Sequence, residues 1–331
     1  MIEEIQQRRL IFVTGKGGVG KSVCSGAIAV ALARRGRRVL IVETDTFASL
    51  PHLFGVSKAR SAASRIDSPV RLADQIDGLN LVGEECLVRT LTRFLPSETA
   101  VRAITQNRVT SAFFQSAPSV NEFVLLDQIM GPLTARYDHV IVDLPASGHA
   151  LTFLAVPKTL SEMMRGKGPI ASRADELHAR IGNGEETAIV AVSLPEELPV
   201  QETIELASAV EASIGRTLTG IVVNMVHDSP IEAESDLEKF RALMRERLDG
   251  QQPVDLLAES TCVGWWRLMV AAALSDGWRE RDLKYRERLA SEVSTPMVDV
   301  PMFFEVEDAR LIHLIAGSIC GEEDRSTKAV P

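Results

Sequence analysis

Short apolar runs alternate with longer stretches of helical spacing along most of this 331-residue chain. Leu10-Ile11-Phe12-Val13 leads into an alanine-rich helical pattern from about 21 to 35, which is followed by Arg37-Arg38-Val39-Leu40-Ile41-Val42. β-branched runs on either side of a helix read as buried parallel strands joined by a crossover. Similar runs return at Tyr137-Asp138-His139-Val140-Ile141-Val142-Asp143, Ala188-Ile189-Val190-Ala191-Val192, Gly220-Ile221-Val222-Val223 and Met297-Val298-Asp299-Val300. Between 85 and 135 the apolar positions fall at helical intervals, through Leu87, Leu91 and Leu95 and again through Phe123, Leu126, Ile129 and Leu133, a spacing that predicts helices packed on a core. Residues 44 to 80 are irregular and polar, with Leu79-Asn80-Leu81-Val82 as a candidate strand. The alternation predicts an α/β fold, a mostly parallel β-sheet flanked by helices. No linker divides the chain, so residues 1–320 are expected to form one domain with helical insertions near 85–130, 158–187 and 230–290, gathered on one edge of the sheet. Residues 321–331, small or charged, are expected to be a disordered tail.

Hydrophobic residues make up 45% and charged residues 24% of the chain, the balance of a soluble globular protein rather than a disordered or membrane one. No apolar run reaches bilayer-spanning length, and Met1-Ile2-Glu3-Glu4-Ile5 has no basic region followed by an apolar segment, so a cytoplasmic location is expected. A net charge of −9 weighs against broad binding to nucleic acid and leaves only a local, peripheral membrane contact open. Arg34, Arg35, Arg37 and Arg38 surround Gly36 at the end of the first long helix, where cations complement the dipole and glycine ends the turn. Cys24, Cys86, Cys262 and Cys320 are far apart and form no C-x-x-C pair, so reduced thiols are expected and zinc is not.

Gly15-Lys16-Gly17-Gly18-Val19-Gly20-Lys21-Ser22 sits between the first strand and the first long helix, the context in which G-x-x-x-x-G-K-[ST] binds phosphate. Glycines let successive backbone N–H groups turn inward as an anion nest, and the helix that follows presents its positive end to the same phosphates. Lys21 is expected to neutralise the β- and γ-phosphates of ATP and Ser22 to ligate Mg²⁺, with Gly15, Gly17, Gly18, Val19, Gly20 and Val23 completing the nucleotide contacts. A metal-bound nucleotide also needs a carboxylate for the metal and a group that orients the attacking water. Asp143, at the end of Val140-Ile141-Val142, has the form of a Walker B aspartate; Asp45, after the second strand, is the candidate for water or metal.

A distributed set of motifs resembles the ArsA-type ATPases, which include arsenite-pump and guided-entry targeting ATPases. The phosphate loop resembles the family's G-K-G-G-V-G-K-T, the deviant Walker A form with a second lysine. Thr44-Asp45-Thr46-Phe47-Ala48-Ser49-Leu50 resembles its first switch, T-D-P-A-H-S-L, and Asp143-Leu144-Pro145-Ala146-Ser147-Gly148-His149 its second, D-T-A-P-T-G-H. Ser193-Leu194-Pro195-Glu196 and Gln201-Glu202-Thr203 are similar to a T-I-P-E segment with a later A-E-T; Val223-Asn224 and Val300-Pro301 are similar to the segments that contact and enclose adenine. The resemblance implies that Lys16 reaches across a homodimer to the partner's nucleotide, that Asp45 positions water, that Asp143 serves the metal, and that Asn224 and Pro301 hold the base. His149 is assigned a positioning or structural role, because phosphoryl transfer depends on placement and charge more than on proton abstraction. The chain departs from the family pattern at Thr46-Phe47-Ala48 and in the earlier place of Pro145, and it lacks the zinc-binding C-x-x-C.

The resemblance implies an ATP-hydrolysing, nucleotide-switched homodimer that binds and releases a protein client with a hydrophobic segment. Met163-Met164 and Trp265-Trp266-Arg267-Leu268-Met269-Val270 are the candidate client-facing stretches, against the alternative of ordinary buried helices. The competing class is a positioning ATPase whose ATP-bound dimer binds DNA or a membrane surface, which calls for a basic face or a terminal amphipathic helix.

Overall fold

The computed structural model describes residues 1–44, 49–56, 69–81, 83–94, 118–229, 231, 233–248, 264–304 and 306–322. Eight strands among them form one sheet: β1 (Leu10–Gly15), β2 (Val39–Glu43), β3 (Val70–Ala73), β4 (Ile76–Asn80), β5 (His139–Asp143), β6 (Thr187–Ser193), β7 (Gly220–Val226) and β8 (Met297–Pro301). Their spatial order is β3-β4-β2-β5-β1-β6-β7-β8, and every neighbouring pair is parallel except β3 with β4.

β1, β2 and β6 are buried along their whole length because helices cover both faces, which is why their sequences read as continuous apolar runs. Successive side chains of β1 enter different cores. Leu10 and Phe12 pack with Phe123 and Leu126 of α5 (Pro118–Ile129), Phe153 of α6 (Ser147–Met163), Leu177 of α7 (Pro169–Gly182) and Leu206 of α8 (Glu197–Ile214). Ile11 and Val13 pack with Ile28 and Leu32 of α2 (Lys21–Ala33), Leu50 of α3 (Leu50–Leu53) and Ile315 of α11 (Asp308–Cys320). The short α1 (Ile2–Ile5) adds Ile2 and Ile5 to this second core.

In the segment near 85–130, α4 (Gly83–Phe94) contributes Cys86 and Leu87 to the same core as α5. α9 (Glu234–Leu248) and α10 (Gly264–Glu292) share a separate cluster of Leu237, Phe240, Met244 and Val270. α2 ends at Ala33 rather than near 35, and Gly36 turns the chain at φ 76°. Three of the four arginines around it are engaged by acids: Arg34 with Glu322 at 3.2 Å, Arg35 with Glu3 at 2.8 Å and Arg38 with Asp138 at 3.7 Å. Glu322 is the last described residue, and 323–331 of the expected tail lie outside the described residues.

The irregular stretch expected over 44–80 holds two strands, β3 and β4, paired as an antiparallel hairpin at the sheet edge. The hairpin turns at Gln75, whose φ of 59° is left-handed, a conformation that its side chain does not announce. The strand proposed at 79–82 accordingly begins earlier, at Ile76, and ends at Asn80; Val82 lies outside the described residues. No helix among the described residues is long and apolar enough to cross a membrane.

Candidate functional site

The C-terminal ends of β1, β2 and β5 open onto a cavity of about 610 Å³ lined by Gly17, Gly18, Gly20, Lys21, Ser22 and Val23 from the loop and by Glu43, Ser49, Leu53, Asp143, Leu144, Pro145 and Ala146. Strand ends in an open parallel sheet are where ligand crevices form, because the connecting loops diverge there. Of the expected loop residues, Gly17, Gly18, Gly20, Lys21, Ser22 and Val23 therefore line one cavity with Asp143, whereas Gly15 and Val19 are not part of its lining. Asp45, like the rest of 45–48, lies outside the described residues, as do Cys262 and the side chains of Trp265 and Trp266.

Two glycines explain why the loop can take this path. Gly15 has φ 151° and registers opposite Val192, where a Cβ would run into the Val192 carbonyl oxygen. Gly20, the residue before α2, has φ 90°, and a Cβ there would lie 2.5 Å from Asn224 Nδ2. Between them, exposed Gly17 and Gly18 carry no side chain to block the approach of a phosphate. Lys21 Nζ donates to the Lys16 carbonyl at 3.0 Å, tying the first helical residue back across the loop.

Asp143 is held from both sides. Ser22 Oγ donates to its Oδ2 at 2.5 Å and Ser25 Oγ to its Oδ1 at 3.3 Å. Burial pushes its carboxyl up to about 6; the Ser22 bond opposes that shift, the nearby Glu43 charge adds to it, and Lys21 and Ser25 oppose it. A hydroxyl and a carboxylate beside a phosphate loop form a hard oxygen donor set of the kind that suits Mg²⁺, which takes one or two protein ligands and completes its shell with phosphate and water. Among the described residues there is no group of three or more His, Cys, Asp or Glu that could hold a metal by itself.

Lys16 takes a different direction from Lys21. Its side chain is not among the cavity walls and pairs with Glu202 of α8 at 2.9 Å, with the two side chains 33% and 37% exposed. Asn224 and Pro301 also stand outside the cavity lining, near the ends of β7 and β8. Asn224 is buried and its Nδ2 donates to the Val19 carbonyl at 3.0 Å, so the side chain expected to face a base is braced against the phosphate loop. Pro301 is registered with Val226, and Met302 N donates to the Val226 carbonyl at 2.9 Å. Met225, between Asn224 and Val226, has φ 59°, an uncommon backbone state for a non-glycine residue. His149 is exposed on the first turn of α6.

Sequence reasoning passed over Glu43 and Ser25. Glu43 breaks an otherwise apolar strand at its final position, a charge that could have marked it; Ser25 lies one helical turn from Ser22, where a polar residue in an alanine-rich helix invites the same question.

The family model for anion-transporting ATPases of the ArsA type matches residues 8–177, just over half of the chain. The ATPase BagA of Mycobacterium tuberculosis is 30% identical over 250 residues, covering 71% of this chain and 72% of that protein. The arsenical pump-driving ATPase of Acidiphilium multivorum is 26% identical over 257 residues, 72% of this chain but 42% of the pump ATPase. The ATPase GET3 of Kluyveromyces lactis is 30% identical over 177 residues, 50% of each chain. With a phosphate loop in its strand-to-helix setting and family similarity across more than half its length, this chain belongs to the ArsA-type, anion-transporting ATPase family and is an ATP-binding ATPase.

Proposed function

We propose that the chain works as a nucleotide-switched homodimer, coupling ATP binding and hydrolysis to the binding and release of a protein client. The observation that carries this reading is the division of labour between the two loop lysines. Lys21 lies at its own chain's cavity, whereas Lys16 is directed to Glu202 and contributes nothing to that cavity's walls. An exposed ion pair of this kind is worth at most about 1 kcal/mol, so the phosphates of a second subunit's nucleotide can displace Glu202 at small cost.

In the proposed site Ser22 Oγ and the Asp143 carboxylate would hold Mg²⁺, and Ser25 donates to the second oxygen of that carboxylate. Bound Mg²⁺ supplies neutralisation of charge on the transferring phosphoryl group. Lys21 neutralises the β- and γ-phosphates, and Asp45 orients the attacking water. Asn224 and Pro301 flank the base side of the loop. Client contact is assigned to apolar side chains that remain exposed: Met163 at the end of α6, 75% exposed, and Leu268 on α10, 72% exposed. Both stretches were singled out by sequence, and the name of the arsenical pump-driving relative is compatible with an ATPase that drives another protein.

Turnover and oligomeric state measured with and without ATP for the wild type, Lys16→Ala and Asp45→Asn test the proposal. Asp45→Asn is expected to bind ATP and dimerise while hydrolysing at least about tenfold more slowly, a barrier change of roughly 1.4 kcal/mol. Lys16→Ala is expected to keep nucleotide affinity and lose turnover. A wild-type protein that stays monomeric with ATP at every concentration would sink the cross-subunit role of Lys16, and recovery of DNA alone by ATP-trapped Asp45→Asn would replace the client reading with the positioning one.

A further inference from the structure

We propose that Glu43 is a positioning residue for ATP hydrolysis, holding the part of the phosphate cavity that it lines with Ser49 and Leu53 through its bonds to Ser49 and Leu50. Glu43 is the last residue of β2, registered with Asp143 of β5 on one side and Asn80 of β4 on the other, and only 4% exposed. A buried carboxylate next to a second carboxylate is an expensive choice, because desolvation and like-charge repulsion act together. Such a group persists where its oxygens are well satisfied and the arrangement serves a purpose.

The satisfaction is visible. One oxygen, Oε1, accepts from Ser49 N at 2.7 Å, from Ser49 Oγ at 2.7 Å and from Leu50 N at 3.1 Å. The main chain of Glu43 is anchored as well, its carbonyl accepting from Leu81 N at 3.0 Å. A residue fixed in the sheet therefore grips, with its side chain, the point at which the chain enters α3. That point matters for chemistry because Glu43, Ser49 and Leu53 line the same cavity as the phosphate loop and Asp143. Hydrolysis depends on holding reacting groups in place, and a displacement of about 1 Å in a supporting wall can cost on the order of a hundredfold in rate. The three donors on Oε1 give the carboxylate a task distinct from that of Asp143, whose oxygens face Ser22 and Ser25.

The proposal rests on the ATPase activity and is independent of the dimer and the client. It is tested by steady-state Mg-ATP turnover, ADP affinity, Mg²⁺ half-saturation and thermal midpoint for the wild type, Glu43→Gln, Glu43→Ala and Ser49→Ala. Glu43→Gln keeps an acceptor oxygen in place and is expected to retain kcat within about threefold, whereas Glu43→Ala is expected to lose at least about tenfold in kcat with ADP affinity little changed. Ser49→Ala removes one of the three donors and is expected to lower kcat by about two- to fivefold without moving the thermal midpoint. Wild-type kcat in folded Glu43→Ala overturns the proposal. So does a Glu43→Gln variant as slow as Glu43→Ala with Mg²⁺ half-saturation raised about tenfold, the behaviour of a direct metal ligand. Should Glu43→Ala not fold, an unchanged kcat in Ser49→Ala overturns it equally. A wild-type chain without turnover would instead remove the ATPase reading beneath it.

Discussion

Asn224→Ala separates two roles for one side chain. The family resemblance implies contact with the base, whereas the structure shows Nδ2 donating to the Val19 carbonyl at 3.0 Å in a buried setting. Truncation leaves that carbonyl without its partner, a loss of roughly 1–3 kcal/mol, with the lower value applying if water enters the space left behind. Val19 lies inside the phosphate loop, so the cost falls on the conformation that presents the backbone N–H groups. Converted at about 1.4 kcal/mol per decade, phosphate affinity should drop between about fivefold and a hundredfold. The decisive ligand is inorganic pyrophosphate, which has no base. If Asn224 braces the loop, isothermal titration of Asn224→Ala with pyrophosphate, ATP and GTP shows comparable losses for all three. Unchanged pyrophosphate affinity, with ATP alone weakened, would refute the bracing argument and return Asn224 to the base.

Two further perturbations follow from the charges around the loop. Asp143 is raised from 3.8 to about 6 in the folded, nucleotide-free protein, so the folded state binds the proton more tightly than the unfolded one and its ionisation works against folding. That penalty is absent below about pH 4, grows between the two values and is complete above about pH 6, where it amounts to at most about 3 kcal/mol. Asp143→Asn should consequently abolish turnover while stabilising the apo protein at pH 7.5, and denaturant unfolding at pH 4 should show little of that gain; an equal gain at both pH values would contradict the electrostatic cause. Glu202→Gln frees Lys16 from an exposed pair worth at most about 1 kcal/mol, so the ATP-bound dimer should form at up to about fivefold lower protein concentration by analytical ultracentrifugation. A shift toward monomer would mean that Glu202 supports the dimer instead of competing with it.

What the sequence disclosed depended on how local the physical cause was. Strands β1, β2, β5 and β6 were legible because a parallel sheet covered on both faces demands apolar residues at consecutive positions, and Leu10–Val13 or Val140–Val142 can hardly be read otherwise. The phosphate loop was legible because its chemistry needs glycines, a lysine and a hydroxyl at fixed spacing within eight residues. The β3–β4 hairpin was not. An edge strand needs few apolar positions, and Arg71, Asp77 and Gly78 conceal the pattern; Gly78 leaves room for Leu72, whose Cδ1 would lie 2.7 Å from a Cβ there, a contact no local spacing reveals.

The same distinction runs through the site. Lys16, Lys21, Ser22, Asp143 and Asn224 could be named one at a time from motifs, but what each side chain does depends on a partner supplied by another strand or helix. Asn224 meets Val19 because β7 lies two places from β1 in the sheet, and Glu43 stands beside Asp143 because β2 and β5 are in register at their last residues. Had that register slipped by one residue, Glu43 would face the opposite side of the sheet and its bonds to Ser49 and Leu50 would be lost. Register therefore carries information that the motif alone lacks: it sets Glu43 beside Asp143 and keeps its carboxylate on Ser49 and Leu50.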